Sequence, residues 1–187
     1  MSPVTIVLIV VFGLVVLWLI GAYNRLVRLR NQYKNAWAQI DVQLKRRWDL
    51  IPNLVETVKG YTKHEAETLQ KVTEARNIAQ RAAGQGVAKQ AEAESMLSGA
   101  LSRLMVVVEA YPELKANQNY LALQEELTST ENKIGFSRQF YNDTVMRFNT
   151  KIQMFPTNIV AGVFNFKQAE FFELKDEAAR EAPKVQF

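Results

Sequence analysis

Glu125, Glu126 and Glu131 crowd three carboxylates into one polar stretch, a grouping that could supply oxygens to a hard cation. No loop gathers them, so the plainer reading is an acidic face in solvent. A di-metal bundle, the obvious enzyme for an all-helical chain, needs Glu-x-x-His motifs on two helices. The chain has a single histidine, His64, and the residue three before it is Tyr61. His64 beside Glu65 could form a pH-responsive pair, but a lone histidine in a polar stretch is more often solvated. Cysteine is absent, which excludes disulfides and thiolate chemistry. No glycine-rich phosphate loop, nucleophile elbow or zinc-ligand spacing occurs. Thr128-Ser129-Thr130-Glu131 has the form of a capping box, yet it falls inside a continuous helical pattern and is a chance match. The expectation is a non-enzyme with no catalytic, metal-binding or cofactor-binding residues, and no cofactor.

One constellation remains. Tyr120, Leu127, Ile134, Tyr141, Phe148 and Phe155 recur every seven residues, and the companion seam reads Gln124, Glu131, Arg138, Val145, Ile152. Glu131 and Arg138 carry opposite charges at positions where a plain bundle places leucine. Either both side chains reach the bundle edge with their heads in water, or they form a buried or interfacial ion pair that fixes helix register or subunit pairing. Both readings stay open.

The elements that must position these residues begin with the N-terminus. From Met1 to Asn24 there is no charged side chain, and then Arg25, Arg28, Arg30 and Lys34 follow closely. At ~1.5 Å rise per residue, the run of about 20 residues from Val4 to Tyr23 matches a hydrocarbon core of about 30 Å. Trp18 and Tyr23 stand near one end, where amphipathic rings favour the headgroup layer. A cleaved signal peptide would carry its basic residues before a shorter apolar core. The order here is reversed, so the segment reads as a retained single-pass anchor. The positive-inside rule puts the N-terminus outside and the remainder in the cytoplasm. The membrane-surface basic stripe, Arg25, Arg28, Arg30 and Lys34, reads as attraction to anionic lipid headgroups. The net charge of +4 lacks any nucleic-acid-binding motif beside it, so no nucleic-acid partner is expected.

Beyond the anchor the dominant period is helical. Leu26, Leu29, Tyr33, Trp37, Ile40, Leu44, Trp48, Ile51 and Val55 follow an 11-residue repeat, about 3.67 residues per turn, which makes a nearly straight seam. The anchor is expected to run on into this helix, kinked but not stopped at Pro52 and Gly60. Ala66, Leu69, Val72 and Ile78 extend the pattern to a first turn at Gly84-Gln85-Gly86. A second helix covers Val87 to Ala110, with Met96, Leu97, Leu101, Leu104 and Val108 inward. Tyr111-Pro112 ends it, and the heptad helix follows until Pro156. Ile159, Val160, Val163, Phe164, Phe166, Phe171 and Phe172 then form an aromatic cluster that either closes the core or docks on a membrane or partner. Short connections imply antiparallel neighbours. The fold class is all-α, an N-terminal transmembrane helix continuing into a long-helix antiparallel bundle. The divisions are a short N-terminus and anchor over 1–24, a helical bundle over 25–174 and a charged, flexible tail over 175–187.

Particular stretches resemble the LemA family. They are Tyr23 to Asn31 with Ala36-Trp37, Ile40 to Arg47 with Asp49 to Val55, Tyr111 to Asn117, Leu123 to Leu127, Thr130 to Ile134, Tyr141-Asn142, Phe148-Asn149, Phe155-Pro156 and Phe171-Phe172-Glu173. The likeness covers nearly the whole chain. It implies a bacterial single-span membrane protein with an antiparallel helical domain facing the cytoplasm, in a family whose genes often neighbour membrane proteases and envelope-maintenance factors. It implies no catalytic residues. Two functions follow as expectations. The first is a membrane-anchored, non-enzymatic scaffold that self-associates at the bacterial inner membrane, with Trp37, Trp48, Glu131 and Arg138 as assembly or register residues; Trp37 and Trp48 can equally be intrachain core. The alternative is an adaptor or regulator of another envelope protein, such as a membrane protease, with no homo-oligomer.

Overall fold

The computed structural model describes residues 2–62 and 64–173; the tail expected over 175–187 lies outside the described residues. These residues form α1 (Pro3–Lys59), α2 (Ala66–Ala82), α3 (Val87–Val108), the short α4 (Pro112–Lys115), α5 (Gln118–Gln153) and α6 (Thr157–Val163), with no strand among them. The all-α class and the antiparallel connections are as the periodicity predicts.

Two compact units divide the chain, and α1 and α5 contribute to both. Of the described residues, one unit comprises 2–38 together with Gln139–Glu170; the other comprises those within Gln39–Arg138 together with 171–173. In the first unit, α1 begins with the apolar run. It is the one described helix long and apolar enough to cross a membrane, and none of its most apolar window is buried. Past Tyr23 the same helix turns inward. Leu26 packs with Phe148 and Ile152 of α5 and with Val160 and Ala161 of α6; Ala22, Leu29, Tyr33 and Phe166 flank this core. Tyr33 meets the Phe148 ring at 5.1 Å and Trp37 meets Tyr141 at 5.4 Å, both tilted. After α6 the chain has no regular secondary structure and is held by side chains that bond its backbone. Asn149 donates to the Ala169 carbonyl and accepts from the Ala169 amide, both at 2.9 Å. The Tyr141 hydroxyl donates to the Glu170 carbonyl at 2.8 Å.

In the second unit, α1 buries Ile40, Leu44, Trp48, Ile51, Leu54 and Val58. α2 buries Leu69, Val72, Ala75 and Ala79, and α3 buries Leu97, Leu101, Leu104 and Val108. Gly84 and Gly86, at φ 77° and 108°, make the reversal between α2 and α3, a conformation that costs other residues but not glycine. Asn117 caps α5, its side-chain oxygen accepting the Tyr120 amide at 3.0 Å.

Several details depart from the pattern reading. The helix does pass Pro52, but it ends at Lys59; Gly60 and Tyr61 form a turn and a separate α2 begins at Ala66. Pro112, expected only to end the second helix, also opens the short α4, since its fixed φ suits a first helical position. Met96 is exposed at 53%: the inward stripe of α3 runs through Leu97, and a residue one position away points about 100° elsewhere. Phe155, the last residue of the heptad seam, is also exposed, because α5 has already ended at Gln153.

Candidate functional site

The most unusual chemistry lies inside the second unit. Arg47 of α1 and Glu94 of α3 are each about 1% exposed and form an ion pair through Arg47 Nη2 and Glu94 Oε2. Arg47 Nη1 donates to Glu131 of α5 at 2.5 Å and to Ser98 of α3 at 3.1 Å. The other Glu94 oxygen accepts from the Trp48 indole at 3.0 Å and from Gln90 Nε2 at 2.6 Å. Gln90 also donates to the Ala79 carbonyl on α2 at 3.3 Å. One guanidinium and two carboxylates therefore join α1, α3 and α5, while Gln90 extends the network to α2. Glu131 is 38% exposed and carries the network to the surface. Burial pushes the Glu94 carboxyl above its ordinary value, against the opposing pull of the Arg47 charge and the hydrogen bonds. Outside this network Arg46 pairs with Glu126 in solvent.

A backbone contact sits beside the network. Pro52 has no N–H, so the carbonyl four residues earlier, that of Trp48, loses its helical donor. Arg76 of α2 replaces it, donating from Nε at 2.6 Å. This is how a proline is accommodated within a packed helix.

The predicted site residues separate. Trp48 is 6% exposed and belongs to the network. Trp37 is half-buried against Tyr141 in the first unit. Glu131 takes its bond from Arg47 and not from its seam neighbour Arg138, which is half-buried. Arg25, Arg28 and Lys34 are exposed on α1; Arg30 is half-buried, its guanidinium 5.2 Å from the centre of the Phe166 ring, a cation–π contact. Among the described residues no group of three or more His, Cys, Asp or Glu side chains could hold a metal ion. His64 is exposed in the turn before α2. The aromatic cluster divides: Val160 and Phe172 are buried, Phe166 half-buried, and Ile159, Val163, Phe164 and Phe171 exposed.

The pattern reading did not single out Glu94 and Gln90. Extending the α3 seam Val108, Leu104, Leu101, Leu97 backwards in steps of four and three reaches both. Chemically, the network makes helix pairing conditional on charge and hydrogen-bond geometry. Each Glu94 oxygen is occupied by donors of this chain, and the side chain is out of reach of a substrate.

A family model described as LemA family matches residues 36–187. A protein of Metamycoplasma hominis named Protein LemA is 30% identical over 159 residues, covering 84% of this chain and 71% of that protein. Magnetosome protein MamQ 2 of Paramagnetospirillum magneticum is 25% identical and Magnetosome protein MamQ of Magnetospirillum gryphiswaldense is 23% identical, each over 181 residues. Both matches cover 84% of this chain, which spans 66% of those relatives' length.

Proposed function

The chain belongs to the LemA family, and on that premise we propose that it is a membrane-anchored, non-enzymatic helical scaffold that self-associates at the bacterial inner membrane. The observation that carries self-association is the outward face of α5 in the second unit. Leu121 is 48% and Phe136 74% exposed there, on the face that also carries Thr128, Ser129 and Asn132. Two large apolar side chains exposed on an otherwise polar helix face favour a partner that covers them. The buried Arg47 network supports a structural role, because such groups have their best-attested use in fixing register. The names of the MamQ relatives refer to the magnetosome and to no reaction, which agrees with a non-enzymatic role. The N-terminus lies outside and the helical domain in the cytoplasm, as the basic residues after the span favour. Anionic headgroups are the partners of Arg25, Arg28, Arg30 and Lys34.

The test is the particle mass of the full-length protein in mild detergent, beside Phe136→Asp. A discrete multimer that dissociates in the variant while the helical content stays constant supports the scaffold. A monomer for both proteins overturns it and leaves the adaptor of another envelope protein as the working alternative.

A further inference from the structure

Between Lys151 and Lys167 the chain carries no charge: Ile152 to Phe166 includes the end of α5, the turn at Pro156 and all of α6. Its inner side chains, Ile152, Val160 and Ala161, pack against Leu26, with Ala22 flanking them. These α1 residues bracket Tyr23, where the apolar run ends. The Tyr23 ring lies 4.7 Å from Phe164 and 5.9 Å from Phe166. The turn and α6 are therefore held at the height where the span leaves the hydrocarbon. Their outer side chains remain uncovered: Phe155 is 78%, Ile159 55%, Val163 75% and Phe164 56% exposed. Ile159 and Val163 are spaced by four residues on one side of α6, and Phe155 stands in the turn that precedes it.

We propose that this face is a second membrane contact, with Phe155, Ile159, Val163 and Phe164 inserted at the headgroup–acyl boundary of the same bilayer that the span crosses. The proposal rests on the membrane-anchored reading above. Continuity chooses the occupant, because the apolar face begins against Tyr23 where the apolar surface of the span stops. Charge agrees: exposed Arg25 and Arg28 follow Tyr23 closely in α1 and exposed Lys167 follows Phe166, as expected of a surface meeting anionic headgroups. A helix too short to bind a bilayer alone is delivered there by the core beneath it. The span fixes depth, and the second contact fixes the unit's rotation about the span axis.

The absence of cysteine makes the test direct. Single cysteines replace Leu14, Gln139, Ile159 or Val163 in the full-length protein, each carrying a nitroxide. The proteins are placed in vesicles of phosphatidylethanolamine and phosphatidylglycerol, and collision rates with oxygen and a water-soluble nickel chelate are compared. The labels at Ile159 and Val163 are expected to favour oxygen several-fold over the Gln139 label, and the Leu14 label to favour it further. Nickel-accessible labels at 159 and 163 beside a lipid-exposed Leu14 label overturn the docking contact and leave the anchor standing. A nickel-accessible Leu14 label overturns the anchor and the docking contact with it. Spin–spin broadening at Val163 that disappears on dilution with unlabelled protein assigns the face to a second copy, and also overturns the proposal.

Discussion

Replacing Arg47 by methionine leaves Glu94 buried at about 1% exposure with only the Trp48 indole and Gln90 amide as partners. Breaking a buried pair from one side costs about 3–5 kcal/mol, because the remaining charge is desolvated without compensation. For a chain of this size each kcal/mol moves Tm by roughly 2–4 °C, so Arg47→Met is expected to lower it by about 6–20 °C. Adding Glu94→Gln removes the stranded charge and keeps an amide oxygen for the indole and Gln90. Glu131 is partly exposed and stays solvated in either background. The double variant should return to within about 1–2 kcal/mol of the parent, since neutral replacement of a buried pair is often nearly free of cost. Arg46→Met, at the exposed pair with Glu126, should cost about 0.2–1 kcal/mol. The assay is thermal unfolding followed by circular dichroism in mild detergent, repeated across pH. Glu94 has a raised carboxyl pKa in the fold, so the folded state holds its proton more tightly than the unfolded chain. The resulting contribution is full below the unfolded value of about 4.3 and is lost as pH rises through the folded value. Arg47→Met should therefore regain stability as pH falls towards the ordinary carboxylate range, and the double variant should show less of this slope. If the double variant is no better than the single, or Arg47→Met no worse than Arg46→Met, the reasoning fails.

Arg76→Ala should cost about 1–3 kcal/mol by orphaning the Trp48 carbonyl, and less in a Pro52→Ala background, where the helix supplies its own donor; chemical denaturation of the four proteins measures the coupling. Burial pushes the Tyr141 hydroxyl up to about 12, with Tyr33 and Glu170 adding to it. Its stabilising contribution is present below the unfolded value of about 10 and is lost as pH approaches 12, so Tyr141→Phe should flatten that alkaline loss in unfolding scans and cost about 1 kcal/mol at neutral pH. Arg138→Leu should change the distribution of particle masses more than Tm; an unchanged distribution would count against an assembly role for this seam position.

The helical class, the antiparallel order and most of the α5 seam were legible because five of its heptad residues, Tyr120 to Phe148, are buried where the spacing puts them. The charged site was less legible for a specific reason. In the second unit α1 buries Ile40, Leu44, Arg47, Ile51, Leu54 and Val58, a seam of alternating four- and three-residue steps with an arginine in one place. An apolar-only pattern skips that arginine, chooses the neighbouring Trp48 and reads an 11-residue repeat instead. Glu94 and Gln90 are hidden in the same way at the start of the α3 seam. A charge at a seam position shows where a partner is needed, but the partner is several dozen residues away and no spacing rule names it. The end of α1 is hidden in the sequence because apolar periodicity resumes after the turn, in Leu69 and Val72 of a separate helix.

The carbonyl that Pro52 frees also affects which packings the chain can accept. On an isolated α1, water satisfies the Trp48 oxygen, and the proline carries only its intrinsic interior cost of about 3 kcal/mol. Once another helix covers that face, water is excluded, and the oxygen needs a donor long enough to reach it from the side. A helix without an arginine at the place of Arg76 would bury the acceptor unpaired and lose about 1–3 kcal/mol relative to the native fit. The freed carbonyl thus favours a neighbour that carries a donor where Arg76 stands and disfavours one that covers the oxygen without it.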